Sequence, residues 1–97
     1  MRDRFVELVE RQLELFAAEH AGLLEDAQSA LDAYNAASRD EAEDLYGDYV
    51  DRVDAATEAL ASYRDTFART LEPDAAEEYE AAFNRRARKR VPELKLD

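Results

Sequence analysis

The chain has 97 residues, 38% of them charged, with Gly 2, Pro 2 and neither Cys nor Trp. Such a length fits one small domain. The missing cysteines exclude disulfides, thiol chemistry and thiolate metal sites, and the absence of isoleucine leaves a sheet short of its usual residues. The net charge of −11 divides into −15 over Met1 to Asn84 and +4 over Arg85 to Asp97, an acidic body that disfavours nucleic acid and anionic membranes over most of its surface.

Asp3 to Tyr34 reads as one long helix. Its stripe is Phe5, Val9, Gln12, Phe16, His20, Leu23, Ala27, Ala30 and Tyr34, close to the 3.6-residue period of a straight helix. Val6, Leu13, Leu24 and Leu31 widen the stripe on one side, and Leu8 and Leu15 on the other. The second flank stops at Gly22 and Ser29, so the apolar face is widest in the first half. The longest unbroken apolar run, Leu15 to Ala18, is far below the roughly 20 residues of a membrane span. Met1-Arg2-Asp3-Arg4 lacks the apolar stretch of a signal peptide. A cytoplasmic location is expected.

A turn follows. Asn35 is placed to end the first helix in a left-handed conformation. Ser38-Arg39-Asp40-Glu41 has the pattern of a capping box, in which the Ser38 hydroxyl accepts from the Glu41 amide and Glu41 reaches back. The second helix runs from about Arg39 to Leu71. Tyr46, Tyr49, Val53, Ala56, Leu60, Tyr63, Phe67 and Thr70 stand at alternating steps of three and four, the narrow heptad seam along which two helices zip together. A connection this short makes the two helices antiparallel neighbours, each arm about 50 Å long. The heptad rhythm is generic and carries no resemblance to a particular family.

Pro73 ends the second helix or opens a third, with Asp74 and Glu77 as its cap. The third helix, about Asp74 to Arg90, is acidic where it begins and basic where it ends, which matches the helix dipole. Pro92 stops it, and residues 91–97 form a short tail. The expected architecture is all-α, residues 1–97 as one domain: a long antiparallel, coiled-coil-like hairpin (helices 3–34 and 39–71) with a short third helix (74–90) packed at its open end. Half as long as the arms, the third helix should cover only the base.

Four features invite a functional reading. His20, the only histidine, sits mid-stripe without the Glu-x-x-His pattern of metal-binding bundles, and reads as a half-buried structural residue. The rows Asp3, Glu7, Glu10, Glu14 and Asp44, Asp51, Glu58, Asp65 resemble in spacing the acidic residues with which all-helical pyrophosphohydrolases hold Mg²⁺. They lie opposite the apolar stripes, so they read as solvated faces and a metal-dependent hydrolase is disfavoured. Arg85, Arg86, Arg88, Lys89 and Arg90 are candidate nucleic-acid contacts. As a helix they spread around the axis, and pairing with an acidic arm is the preferred reading. At the hairpin tip, Leu31, Tyr34, Leu45, Tyr46, Tyr49, Val50 and Val53 have too little to pack against, which marks an interface with a second copy or with another helical protein. No catalytic, cofactor or metal residue is assigned. The expected role is therefore a non-enzymatic, self-associating assembly module, the alternative a small nucleic-acid-associated regulator. Eleven of the 13 basic residues are arginine. With the acidic excess, this resembles proteins of salt-accumulating cells, though a GC-rich genome biases composition the same way.

Overall fold

The computed structural model describes residues 4–90 and residue 96. Among them there are four α-helices and no strand: α1 (Val6–Glu19), α2 (Ala21–Asn35), α3 (Arg39–Ala68) and α4 (Pro73–Arg90). The molecule measures 51 × 25 × 21 Å with a radius of gyration of 15.4 Å, against about 12.5 Å for a compact chain of this length. It is a rod, as long as one arm.

The expected single helix over 3–34 is broken. His20 takes φ −118° and ψ 32°, outside the helical region, and serves as the end of α1 and the start of α2. Its amide donates to the Phe16 carbonyl at 2.8 Å, and its own carbonyl accepts from Leu24 at 3.2 Å, so the two helices share His20 as a hinge. Local propensity contributes, because Gly22 costs a helix about 1 kcal/mol relative to alanine. Packing supplies the larger reason. α2 lies along α3 over much of its length. α4 packs on both α1 and α3, while the α1 and α3 backbones hardly approach one another. A straight helix through residue 34 would hold α1 against α3 and leave no room for α4 between them.

The base holds the core. Val9, Leu13 and Phe16 of α1, Ala56, Leu60 and Ala68 of α3, and Tyr79, Ala82, Phe83 and Ala87 of α4 form one buried cluster. Tyr79, Phe83 and Val9 are its largest fully buried side chains. Tyr79 lies among rings: Phe5 meets it edge-on at 5.7 Å, and Phe67 and Phe83 are tilted at 4.8 and 6.0 Å. Leu96 also joins this cluster, 3% exposed, and its carbonyl accepts from Arg88 Nη1 at 2.7 Å. The tail thus contributes a core residue; its Val91 and Leu94 lie outside the described residues. Leu15 is 48% exposed, whereas Leu8 on the same flank packs against the core, so that flank of α1 is covered only at its start.

The caps differ in detail from the sequence pattern. No described residue has positive φ. Asn35 is the last residue of α2, and Ala36 closes the helix with its amide on the Asp32 carbonyl at 3.1 Å. Ser38 does occupy the N-cap position of α3, but its side chain bonds no backbone amide. Instead its hydroxyl donates to Glu41 Oε1 at 2.9 Å, and the Glu41 amide donates to the Ser38 carbonyl, not to its hydroxyl, at 3.1 Å. Pro73 opens α4, as a residue without an amide proton can, and Asp74 lies inside the first turn rather than at the cap.

Candidate functional site

The tip residues belong to α2 and the first half of α3. α2 has no buried residue, and every buried residue of α3 lies at Val53 or beyond. Leu31, Tyr34, Leu45, Tyr49 and Val50 are half-buried, and Tyr46 is 52% exposed. The rings of Tyr34 and Tyr46 sit 5.3 Å apart and those of Tyr46 and Tyr49 6.4 Å apart, so three tyrosines make one continuous aromatic surface across the two helices. Val53 differs from the rest. It is 8% exposed and is already used by the chain's own packing.

The basic end of α4 is largely engaged inside the chain. Arg86 Nη1 lies 3.4 Å from Glu10 and Arg90 Nη2 3.8 Å from Glu14. At the other end of the same seam, Arg4 Nε meets Glu78 at 2.6 Å. The order of these pairs shows that α1 and α4 run parallel. Arg88 is committed to the Leu96 carbonyl. Arg85 and Lys89 are exposed. The acidic row of α1, read as a solvated face, is therefore partly a pairing face: Glu10 and Glu14 flank α4, Glu7 is exposed, and Asp3 lies outside the described residues. On α3, Asp44, Asp51 and Glu58 are exposed, and Asp65 accepts from Arg64 Nε at 2.8 Å. Among the described residues, no group of three or more His, Asp or Glu side chains converges on a point where a metal could sit.

Two polar pairs, one buried and one partly buried, tie the base together. Tyr79, 0% exposed, donates its hydroxyl to Gln12 Oε1 at 2.6 Å. Burial pushes that hydroxyl up to about 12 from the ordinary tyrosine value. Arg64 Nη1 donates to Asn84 Oδ1 at 2.8 Å, linking α3 to α4. No buried side-chain nitrogen or oxygen among the described residues lacks a hydrogen-bond partner. Neither pair shows in the sequence, where Gln12 and Tyr79 are 67 positions apart.

The hinge at His20 also opens a cleft of about 580 Å³ between α1 and α3. The last three residues of the heptad seam, Tyr63, Phe67 and Thr70, line it, because α1 has swung away from the seam that α2 fills further up. His20 stands at its edge, its imidazole stacked on Phe16 at 4.4 Å. Sequence reading missed the cleft, since an unbroken stripe gave no sign of the bend. Comparison of the chain with protein-family models, with curated proteins and with solved structures finds no match. No helix among the described residues is long and apolar enough to cross a membrane.

Proposed function

We propose that the protein is a non-enzymatic helical assembly module in which α2 and α3 form an antiparallel, coiled-coil-like arm that self-associates through its tip. One observation carries this reading: α2 presents the stripe Leu23, Ala27, Ala30, Leu31 and Tyr34, yet buries none of it fully. A helix whose apolar face stays half-wet gains little from its own fold. Two tips laid side by side would turn two half-covered helices into a local four-helix arrangement and cover Tyr46. The outer acidic row of α3 would stay in water. The nucleic-acid alternative draws less support, because Arg86, Arg88 and Arg90 have partners within the chain.

The test is sedimentation at micromolar concentration with the Tyr46→Ala, Tyr49→Ala pair. The wild-type chain should be a dimer, and the double substitution should weaken association by several kcal/mol, as central aromatic anchors do. The base, whose buried cluster includes neither residue, should keep its helix content. A wild-type monomer, or a dimer indifferent to the substitutions, excludes the tip as the self-contact and leaves a different helical protein as its partner.

A further inference from the structure

The α1–α3 cleft is a second feature, independent of the tip. We infer that it is a binding site for an uncharged, flat, two-ring aromatic molecule that carries a hydrogen-bond donor.

Its size decides against a helix. One helical turn of about 10 Å diameter fills roughly 400 Å³, so 580 Å³ takes little more than a turn. The same volume lies well within the range of small-molecule pockets, roughly 300–1,000 Å³. Its chemistry sets the class of ligand. Ala59, Tyr63 and Phe67 supply an apolar, largely aromatic wall on α3, suited to a flat ring. No lining side chain is a carboxylate, a lysine or an arginine, and the His20 imidazole stands only at the edge, so a charged ligand gains little in exchange for the hydration it gives up against the aromatic wall.

Two of the lining hydroxyls, those of Thr66 and Thr70, favour a donor as the ligand's handle. Thr66 Oγ1 donates its proton to the Ser62 carbonyl at 2.8 Å, and Thr70 Oγ1 donates to the Phe67 carbonyl at 2.7 Å. Each oxygen is left with lone pairs only, ready to accept. A ligand hydroxyl or ring N–H can meet them. Opposite, the oxygen of Gln12 is taken by Tyr79, so its amide nitrogen is the end a molecule in the cleft would meet. The cleft thus offers two acceptor-only oxygens on α3, at Thr66 and Thr70, beside the Ser62 and Tyr63 hydroxyls and the His20 imidazole, which can donate or accept, and the Gln12 amide as a donor on α1.

The test uses three probes of one shape: 2-naphthol, 2-methoxynaphthalene and 2-naphthoate. The chain has no tryptophan, so naphthyl fluorescence can be followed without interference. The expected result is saturable binding of 2-naphthol, with the ether, which lacks the donor, and the anion each at least tenfold weaker. Ala59→Phe, which fills the cleft, should abolish the naphthol signal. Thr66→Val, close in shape and safe for folding, should reduce naphthol to the level of the ether. The Tyr46→Ala, Tyr49→Ala chain should bind naphthol as the wild type does, whatever its oligomeric state. Absence of saturable binding, equal binding of the three probes, no effect of Thr66→Val, or loss of binding in the tip variant would each overturn the assignment.

Discussion

Tyr79 is the residue on which most of the base converges. It packs against three rings and hands its proton to a carboxamide that is itself 7% exposed. Tyr79→Phe keeps the rings in place but strands the Gln12 oxygen, and an unsatisfied buried acceptor costs about 1–3 kcal/mol. Unfolding in urea should show a loss of that size. Adding Gln12→Leu, which removes the stranded group, should recover much of it. The hydroxyl also links stability to pH. Its folded value of about 12 lies above the unfolded value of about 10, so the neutral form is favoured by folding. Its contribution is complete below pH 10 and falls as pH rises toward 12, by on the order of 2–3 kcal/mol. The Tyr79→Phe chain should lack this part of the alkaline loss. If both chains lose stability equally between pH 10 and 12, the hydroxyl is not held in the way described.

At the scale of elements, the two glycines stand at helical positions with nothing within 4 Å of an added Cβ and no positive φ. Alanine at such a site gains about 0.5–1 kcal/mol by reducing the freedom of the unfolded chain. Gly47→Ala should raise the unfolding midpoint and leave association untouched, because Gly47 shares the outer face of α3 with Asp44 and Asp51. Gly22→Ala should also stabilise, provided the bend at His20 is held by packing. A loss of stability at Gly22→Ala would mean that the glycine itself makes the hinge. The elements show what was legible in the chain and what was not. The all-helical class, the turn near residue 36, the long third element and the acid-to-base gradient of α4 follow from local patterns of Ser38, Pro73 and the heptad seam. The break at His20 does not, because the stripe from Phe5 to Tyr34 keeps its period across the hinge. The bend accompanies the packing of α4 on both α1 and α3, and α1 and α4 are segments about 70 positions apart. For the same reason neither the cleft nor the burial of Leu96 could be seen. The tip reads differently: Leu31, Tyr34, Tyr46 and Tyr49 were expected to lack cover because the arm outreaches α4; of these Tyr46 is exposed and the other three are half-buried, while Val53 is buried.

The whole molecule sets two electrostatic effects against each other, and salt separates them. The Arg4–Glu78, Arg86–Glu10 and Arg90–Glu14 pairs join α1 to α4 and are all partly exposed. Exposed pairs contribute about 0.2–1 kcal/mol each and weaken with salt. The net charge of −11 acts the other way. Confining it within a radius of 15.4 Å, against about 30 Å for the unfolded chain, costs folding a few kcal/mol at 0.1 M salt. Screening at 2 M, where the Debye length is below about 3 Å, relieves on the order of 2–3 kcal/mol of it. Relief exceeds the loss from three weak pairs, so stability should rise with KCl. A net gain of about 1 kcal/mol corresponds to roughly 4–8 °C in the midpoint of a chain this size. Melting curves at 0.1 M and 2 M KCl measure it directly, and an unchanged or lower midpoint would show that repulsion is not what limits the fold. The same sign should hold for assembly. Asp40, Glu41, Glu43, Asp44 and Asp48 crowd the start of α3 beside the tyrosines, so two tips that meet bring like charges together while they cover an uncharged aromatic patch. Salt screens the first and leaves the second. The proposed dimer should therefore tighten between 0.1 M and 2 M KCl, whereas an interface built on ion pairs would loosen over the same range.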